Sequence, residues 1–180
     1  MITRILLTGR PGCGKTTLIK RVVDNLALPA GGFYSEEIRD SESVRERGRG
    51  QRVGFKLVTL DGKEAVFAHV NFKTSERVGK YGLDLTRLET FGVAAVRDAV
   101  RSRRLVVIDE IGPMEIRSAI FRDTVNDALD SPDVSGILAT ISARSLPFTD
   151  AIKARPDISL VEVGPDNRER LVSELSDQLK

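Results

Sequence analysis

Two kinds of hydrophobic pattern alternate along this chain of 180 residues. Short continuous apolar runs are typical of buried strands, and apolar residues spaced three or four apart are typical of helices that face a core. The runs predict strands at 3–8, 33–39, 53–60, 64–70, 105–108, 136–141 and 158–163. The stripes predict helices between Lys15 and Pro29, at 85–103, 116–129 and 148–153, and at 166–179, which Asp166 and Glu169 would cap. This alternation predicts a three-layer α/β sandwich with a mainly parallel sheet.

The segment from 32 to 70 interrupts the alternation, because it holds three of the predicted strands and no helix. The dipeptide Asp61-Gly62, between the second and third of these strands, predicts a tight hairpin turn. The sequence therefore predicts a β-rich hairpin insertion after the first helix. At this length we expect residues 1–180 to form a single domain.

A polar loop at 40–52 joins the first two strands of the insertion and carries Arg45, Arg47, Arg49 and Arg52. Arginine-rich loops can contact nucleic-acid phosphates, so a nucleotide-dependent switch associated with RNA is one alternative for the function. Acidic residues dilute this loop, however, and no aromatic residue is interleaved. We therefore predict a solvated hairpin tip and do not expect nucleic-acid binding.

Composition and charge narrow the class of protein. Charged residues make up 30% of the chain and hydrophobic residues 41%, a balance that is typical of soluble globular proteins. The single cysteine excludes an internal disulfide and is compatible with a reducing compartment. No apolar run is long enough to span a membrane, and the first residues lack the hydrophobic region of a signal peptide. We expect a cytoplasmic, monomeric protein without a membrane partner.

Residues 9–16 read G-R-P-G-C-G-K-T, the full G-x-x-x-x-G-K-[S/T] pattern of a phosphate-binding loop. A predicted strand precedes the loop and a predicted helix follows it, which is the order that such a loop requires. Its glycines allow the backbone amides to close around phosphate oxygens. Lys15 would bring its charge to the β- and γ-phosphates, and the Thr16 hydroxyl would bind Mg²⁺. The sequence therefore predicts a site for a nucleoside triphosphate with magnesium.

The predicted strand 105–108 delivers two acids, Asp109 and Glu110, at its carboxyl end. In an open α/β sheet, ligands bind beyond the carboxyl ends of the strands. Asp109 is predicted to hold Mg²⁺ through its water shell, which is the Walker B role. Glu110 is predicted to accept a proton from, or orient, a water molecule in line with the γ-phosphate. Because a kinase has less need of such a residue, Glu110 favours hydrolysis.

An arginine would complete the charge at the reacting phosphate. Arg144 and Arg155 both follow the predicted strand 136–141, and one of them is expected to act as an arginine finger within the chain. The predicted catalytic residues are thus these two arginines with Lys15 and Glu110. The predicted nucleotide-binding residues come from two segments: Gly9, Arg10, Pro11, Gly12, Cys13, Gly14, Lys15, Thr16 and Thr17, and Leu105, Val106, Val107, Ile108, Asp109, Glu110, Ile111 and Gly112.

Several further motifs accompany the phosphate-binding loop: G-F-Y-S-E-E-I-R at 32–39, V-G-K-Y-G at 78–82, V-I-D-E-I-G-P-M-E at 107–115, A-T-I at 139–141 and P-D-N-R at 165–168. With these motifs the chain resembles the nucleoside-triphosphatase family first described from thermophilic prokaryotes, which includes the cancer-related nucleoside-triphosphatase of animals. Members of that family often carry a histidine shortly after A-T-I, where this chain has serine, leucine and proline.

The resemblance implies a RecA-like or kinase-like P-loop core. It also implies slow, Mg²⁺-dependent hydrolysis of ATP, GTP, CTP and UTP to the diphosphate and phosphate, with broad base tolerance. Some family members are described as predicted nucleotide kinases. A nucleotide or nucleoside kinase on the same core therefore remains an alternative.

Overall fold

A computed structural model describes residues 2–40 and 50–180. This part of the chain forms nine strands: β1 Arg4–Thr8, β2 Ala30–Arg39, β3 Arg52–Thr59, β4 Glu64–His69, β5 Arg77–Val78, β6 Tyr81–Leu83, β7 Leu105–Ile111, β8 Gly136–Ile141 and β9 Ser159–Glu162. Its α-helices are α1 Lys15–Asn25, α2 Leu85–Arg87, α3 Ala94–Arg101, α4 Ala119–Asp130, α5 Pro147–Lys153 and α6 Arg168–Gln178. A π-helical segment, Leu88–Val93, joins α2 to α3, and a 3-10 turn at Glu115–Arg117 precedes α4.

The strands build one sheet in the order β5-β6-β4-β3-β2-β7-β8-β1-β9. Five neighbouring strands of this sheet, β2, β7, β8, β1 and β9, run parallel to one another. The other four strands continue the sheet in antiparallel fashion. The predicted α/β sandwich is confirmed, and the insertion is an extension of the main sheet because β2 pairs with both β7 and β3.

Helices cover both faces of the parallel half of the sheet, so alternate side chains of each strand enter two different cores. In β1, Ile5 and Leu7 pack with residues of α1 and α6, whereas Leu6 packs with residues of α3 and α4. The same alternation holds along 105–108. Burial on both faces fixes the register of the central strands and hence the position of their carboxyl ends.

Most predicted elements are present, and the differences have local causes. The predicted helix at 85–103 contains the π-helical segment, where Gly92 packs closely against Phe33. The predicted cap of the last helix is wrong: α6 begins at Arg168, and Glu169 pairs with Arg21 of α1 at 2.8 Å. Strands β5 and β6 were not predicted, because runs of two and three residues carry no readable period.

The insertion contains the predicted hairpin turn, in which the Thr59 amide donates to the Lys63 carbonyl at 2.9 Å and Gly62 has a φ of 86°. Of the loop arginines, Arg45, Arg47 and Arg49 lie outside the described residues. Arg52 is at the start of β3 and donates to Glu37 at 2.7 Å. Within the described ranges, no helix combines the length and the apolar character that crossing a membrane requires.

Candidate active site

The phosphate-binding loop and the acid pair meet at the carboxyl edge of the sheet, where β1, β8 and β7 end side by side. The phosphate-binding loop leaves β1 at Thr8 and enters α1 at Lys15. Its glycines Gly9, Gly12 and Gly14 have φ angles of 143°, 78° and 95°, which residues with a Cβ rarely adopt. The loop therefore has a conformation that only glycine permits at these positions, and it ends at the positive end of an 11-residue helix.

Lys15 folds back across the loop. Its Nζ donates to the carbonyl oxygens of Gly9 and Arg10, at 3.1 and 3.2 Å, and lies 3.9 Å from Cys13 Sγ. These contacts hold the positive charge of Lys15 against the phosphate-binding loop. An anionic phosphate at that position would meet both the amides and the ammonium group.

Asp109 links the phosphate-binding loop to the centre of the sheet. One carboxylate oxygen accepts from Thr16 Oγ1 at 2.6 Å, and the other accepts from Thr140 Oγ1 at 2.7 Å. The Ser35 amide also donates to this carboxylate. Burial raises the pKa of Asp109, while these hydrogen bonds and the charge of Lys15 act in the opposite direction. The side chain is thus held in place by three neighbouring elements.

The oxygen atoms around Asp109 fit magnesium. Mg²⁺ prefers hard oxygen ligands and commonly uses one or two carboxylates together with phosphate oxygens. Thr16 Oγ1 and the Asp109 carboxylate supply such oxygens within 2.6 Å of each other, beside the loop amides. Thr140 was not singled out by sequence reasoning. The sequence feature that could have identified Thr140 is its position as a polar residue near the carboxyl end of an otherwise apolar strand.

Glu110 follows Asp109 and is only half-buried. Burial and the neighbouring Asp109 raise its pKa, whereas the positive charges of Lys15 and Arg144 act to lower it. Its carboxyl group folds over Gly112, where an added Cβ would come 3.0 Å from Glu110 Cδ and Oε1. Glu110 therefore lies near enough to Lys15 and Arg144 for both positive charges to act on it.

Glu115 is a third acid near the site, and the residues predicted from the sequence did not include it. Its side chain is buried. Burial and the negative charge of Glu110 raise the pKa of Glu115 to about 8, although the amide groups of Gly112 and of Glu115 itself donate to it. Near neutral pH Glu115 is consequently protonated, and it does not add a further negative charge next to Glu110.

We expect Glu115→Gln to change how stability depends on pH. The pKa of about 8 in the folded state lies above the ordinary value of 4.5. Between these two pH values the folded protein binds more protons than the unfolded chain, so this group makes stability fall as pH rises. The glutamine variant should match the wild type near pH 5 and be more stable by about 1–3 kcal/mol at pH 8.

Urea unfolding of both proteins from pH 5 to pH 8 measures this difference. Glu174→Gln, which changes a partly exposed carboxylate on α6, serves as the control and should show no such trend. A constant difference between Glu115→Gln and wild type across the range would show that Glu115 is ionised in the folded protein.

The two candidate arginines lie at opposite edges of the sheet. Arg144 is exposed in the loop after β8, near enough to Glu110 for its charge to act on that carboxylate. Its carbonyl oxygen accepts from Lys153 Nζ at 3.3 Å, which ties the loop to α5. The structure does not bring Arg155 to the site. That guanidinium pairs with Asp130 at 2.8 Å and Asp157 at 2.9 Å, beside the start of β1, because α5 has returned the chain to the amino edge.

The strand residues of the predicted nucleotide-binding set lie in the core. The side chains of Leu105, Val106, Val107 and Ile108 are at most 1% exposed and fill the two cores. Their contribution is to carry Asp109 to the edge, since they have no surface to offer a ligand. The loop residues 9–17 and the strand end 109–112 lie at the predicted edge.

The described surface includes two grooves that differ in their relation to the site. One, of about 310 Å³, borders the phosphate-binding loop and is lined by Thr8, Gly9, Arg10, Ala143, Lys153, Leu160 and Glu162. The other, of about 430 Å³, lies between the start of β2 and α3, and its lining includes none of the predicted site residues. The smaller groove therefore borders the phosphate-binding loop through Gly9 and Arg10, and its lining does not include Lys15, Asp109 or Glu110.

A phosphate-binding loop after β1 and an acid pair at the end of β7 define a P-loop nucleotide-binding protein of the α/β class. The model of the NTPase family matches residues 4–176. The chain is 44% identical to the nucleoside-triphosphatase THEP1 of Thermotoga petrophila over 98% of this chain and 93% of the relative. It belongs to the NTPase family.

Two solved structures agree with this assignment. The crystal structure of THEP1 from Aquifex aeolicus aligns with a TM-score of 0.86 and 33% identity, covering 99% of each chain. The solution structure of a human cancer-related nucleoside triphosphatase aligns with a TM-score of 0.79 and 33% identity, covering 99% of this chain and 97% of that chain. The resemblance inferred from the motifs is therefore confirmed.

Proposed function

We propose that this protein hydrolyses nucleoside 5'-triphosphates to the diphosphate and phosphate in a Mg²⁺-dependent reaction. The observation that carries the proposal is the hydrogen bond of 2.6 Å from Thr16 Oγ1 to Asp109, which joins the phosphate-binding loop to the acid pair at one edge of the sheet. The names of the relatives, which are nucleoside-triphosphatases, support the same reaction class. We extend it to ATP, GTP, CTP and UTP alike.

Each site residue has a distinct part in this proposal. The loop amides and Lys15 hold the β- and γ-phosphates, with α1 directing its positive end towards them. Thr16 and Asp109 would hold Mg²⁺, which supplies charge neutralisation between the β- and γ-phosphate oxygens. Glu110 accepts a proton from, or orients, the attacking water molecule. We assign water, and not a second nucleotide, as the acceptor of the phosphoryl group because of the Glu110 carboxylate.

Arg144 is proposed to neutralise the charge that develops on the leaving and transferred phosphate oxygens. We expect Arg144→Ala to lower the rate of phosphate release about 100-fold with little change in nucleotide affinity, because the charge acts mainly in the transition state. Arg155→Ala is the matched control, since the structure places that guanidinium in ion pairs at the opposite edge. Steady-state kinetics of both variants measure the effect; equal losses, or none in Arg144→Ala, would contradict the assignment.

The reaction itself is tested by product analysis. The purified chain with Mg²⁺ and ATP in ¹⁸O-labelled water should give ADP and phosphate in equal amounts, with one labelled oxygen in the phosphate. Excess EDTA should stop the reaction. ADP formed without free phosphate, or only after a nucleotide acceptor is added, would instead show a kinase.

The proposal includes a cytoplasmic location and a monomeric enzyme. The lone Cys13 is compatible with a reducing compartment. Every residue assigned to binding or catalysis comes from one chain, so the site needs no second copy.

A further inference from the structure

We propose that the guanidinium group of Arg168 is a platform on which the nucleobase of the substrate stacks, whatever the base is. This inference rests on the proposed function, because it extends the same nucleotide site beyond its phosphates. Neither the phosphate-binding motif nor the acid pair says where the base lies. The position of Arg168 against the phosphate-binding loop supplies that information.

Arg168 lies directly on the phosphate-binding loop. A Cβ built on Gly14 would come 2.9 Å from both Cδ and Nη1 of Arg168. With a φ of 95°, Gly14 is also a position where a larger residue would be strained. The absence of a side chain at Gly14 therefore leaves the space that the Arg168 side chain occupies. Lys15 is the next residue in the chain.

The segment that carries Arg168 is fastened to the same loop. Asn167 Oδ1 accepts from the Gly164 amide and Asn167 Nδ2 donates to the Glu162 carbonyl, each at 2.9 Å. The Val163 carbonyl oxygen packs so closely on Gly9 that a Cβ there would come within 2.6 Å of it. The turn after β9 and the phosphate-binding loop thus pack as one unit, which fixes the start of α6.

The order of the strands tells which end of the nucleotide reaches Arg168. Asp109 and Glu110, which would face the γ-phosphate and Mg²⁺, are on β7, two strands to one side of β1. Strand β9, after which the chain turns into the start of α6, lies on the other side of β1. A triphosphate bound along the loop with its γ end towards β7 therefore places its ribose and base towards Arg168.

The chemistry of Arg168 suits a base but does not select one. The side chain is 41% exposed, and the carboxylate of Glu169 lies 3.7 Å from its Nε. Glu169 is held more closely by Arg21, at 2.8 Å. A planar guanidinium stacks on the face of any aromatic ring, whereas edge hydrogen bonds are what distinguish one base from another. Stacking on Arg168 therefore accounts for a site that accepts all four bases.

The experiment measures dissociation constants by calorimetry, with Mg²⁺ present, for the non-hydrolysable β,γ-imido analogues of ATP, GTP, CTP and UTP and for inorganic tripolyphosphate. We expect Arg168→Ala to raise the dissociation constants of all four nucleotides about tenfold and to leave that of tripolyphosphate unchanged. Arg168→Lys should not restore affinity, because it keeps the charge but loses the plane. Arg170→Ala is the control, since that arginine pairs with Glu174 on the exposed side of α6.

Three results would overturn the proposal. An equal loss of affinity for tripolyphosphate would make Arg168 a phosphate ligand. A loss confined to one nucleotide would show that the arginine reads a base edge. Unchanged affinities for all nucleotides would remove Arg168 from the site. Because binding is measured without turnover, a wild type that binds nucleotides but does not hydrolyse them would contradict the proposed reaction and leave this test intact.

Discussion

Glu110→Gln should lower the rate of phosphate release about 1,000-fold while leaving the affinity for Mg²⁺ with nucleotide nearly unchanged. The amide keeps the size of the side chain and its place over Gly112, but it cannot take a proton from water. Burial and Asp109 raise the pKa of Glu110, which means that the folded protein disfavours its negative charge. The glutamine substitution removes that charge. For that reason we expect no loss of stability.

Single-turnover phosphate release, with nucleotide affinity measured separately, tests this expectation. Glu174→Gln, which makes the same substitution at a partly exposed position on α6, should behave as wild type. A glutamine variant at position 110 that keeps more than about a tenth of the wild-type rate would show that water is positioned by another group.

Lys15→Ala is the second change with a large expected effect. The ammonium group lies over the loop, where it meets carbonyl oxygens of Gly9 and Arg10 at 3.1 and 3.2 Å. Without it the phosphates lose a charge-assisted contact in a confined site, and we expect kcat/KM to fall about 1,000-fold. The lost hydrogen bonds are partly exposed, so the free energy of unfolding should change by less than about 1 kcal/mol.

Steady-state kinetics and urea unfolding measure the two effects of Lys15→Ala. Lys20→Ala is the matched control, because Lys20 lies on the same helix but outside the loop. Its Nζ pairs with a carboxylate oxygen of Glu36 at a distance of 2.6 Å. If Lys15→Ala lost activity only in proportion to lost stability, the lysine would have a structural role.

Contiguous motifs were the part of the site that the sequence could predict. The strand, the loop at 9–16 and α1 follow one another in the chain, so local patterns are enough to place Lys15 and Thr16. The pair Asp109 and Glu110 ends an apolar strand, and the position of such an end follows from the general behaviour of parallel sheets. The predicted α/β sandwich follows from the same alternation.

Arg155 shows how a topological rule could have corrected the sequence reading. The predicted helix at 148–153 lies between Arg144 and Arg155, and a helix after a parallel strand returns the chain to the amino edge of the sheet. Arg155 had therefore to lie away from the phosphate-binding loop, which is where the structure places it. Arg144 precedes that helix and stays at the carboxyl edge.

Other features depend on contacts between distant segments. Glu115 becomes a protonated acid only because the fold buries it beside Glu110. Arg168 reaches the phosphate-binding loop because α6 packs against α1, more than 140 positions earlier in the sequence. No periodicity or motif in one sequence reports such pairings, so these residues emerge only from the three-dimensional arrangement.

The most direct test of the central claim is the rate of phosphate release by the purified chain alone, with Mg²⁺ and each of ATP, GTP, CTP and UTP in turn. A site that supplies its own water-positioning acid and arginine predicts Mg²⁺-dependent rates on the order of 10⁻² s⁻¹ or faster, similar for the four nucleotides. Rates near 10⁻⁴ s⁻¹, rising only when a phosphate acceptor or another protein is added, would contradict a self-sufficient nucleoside-triphosphatase.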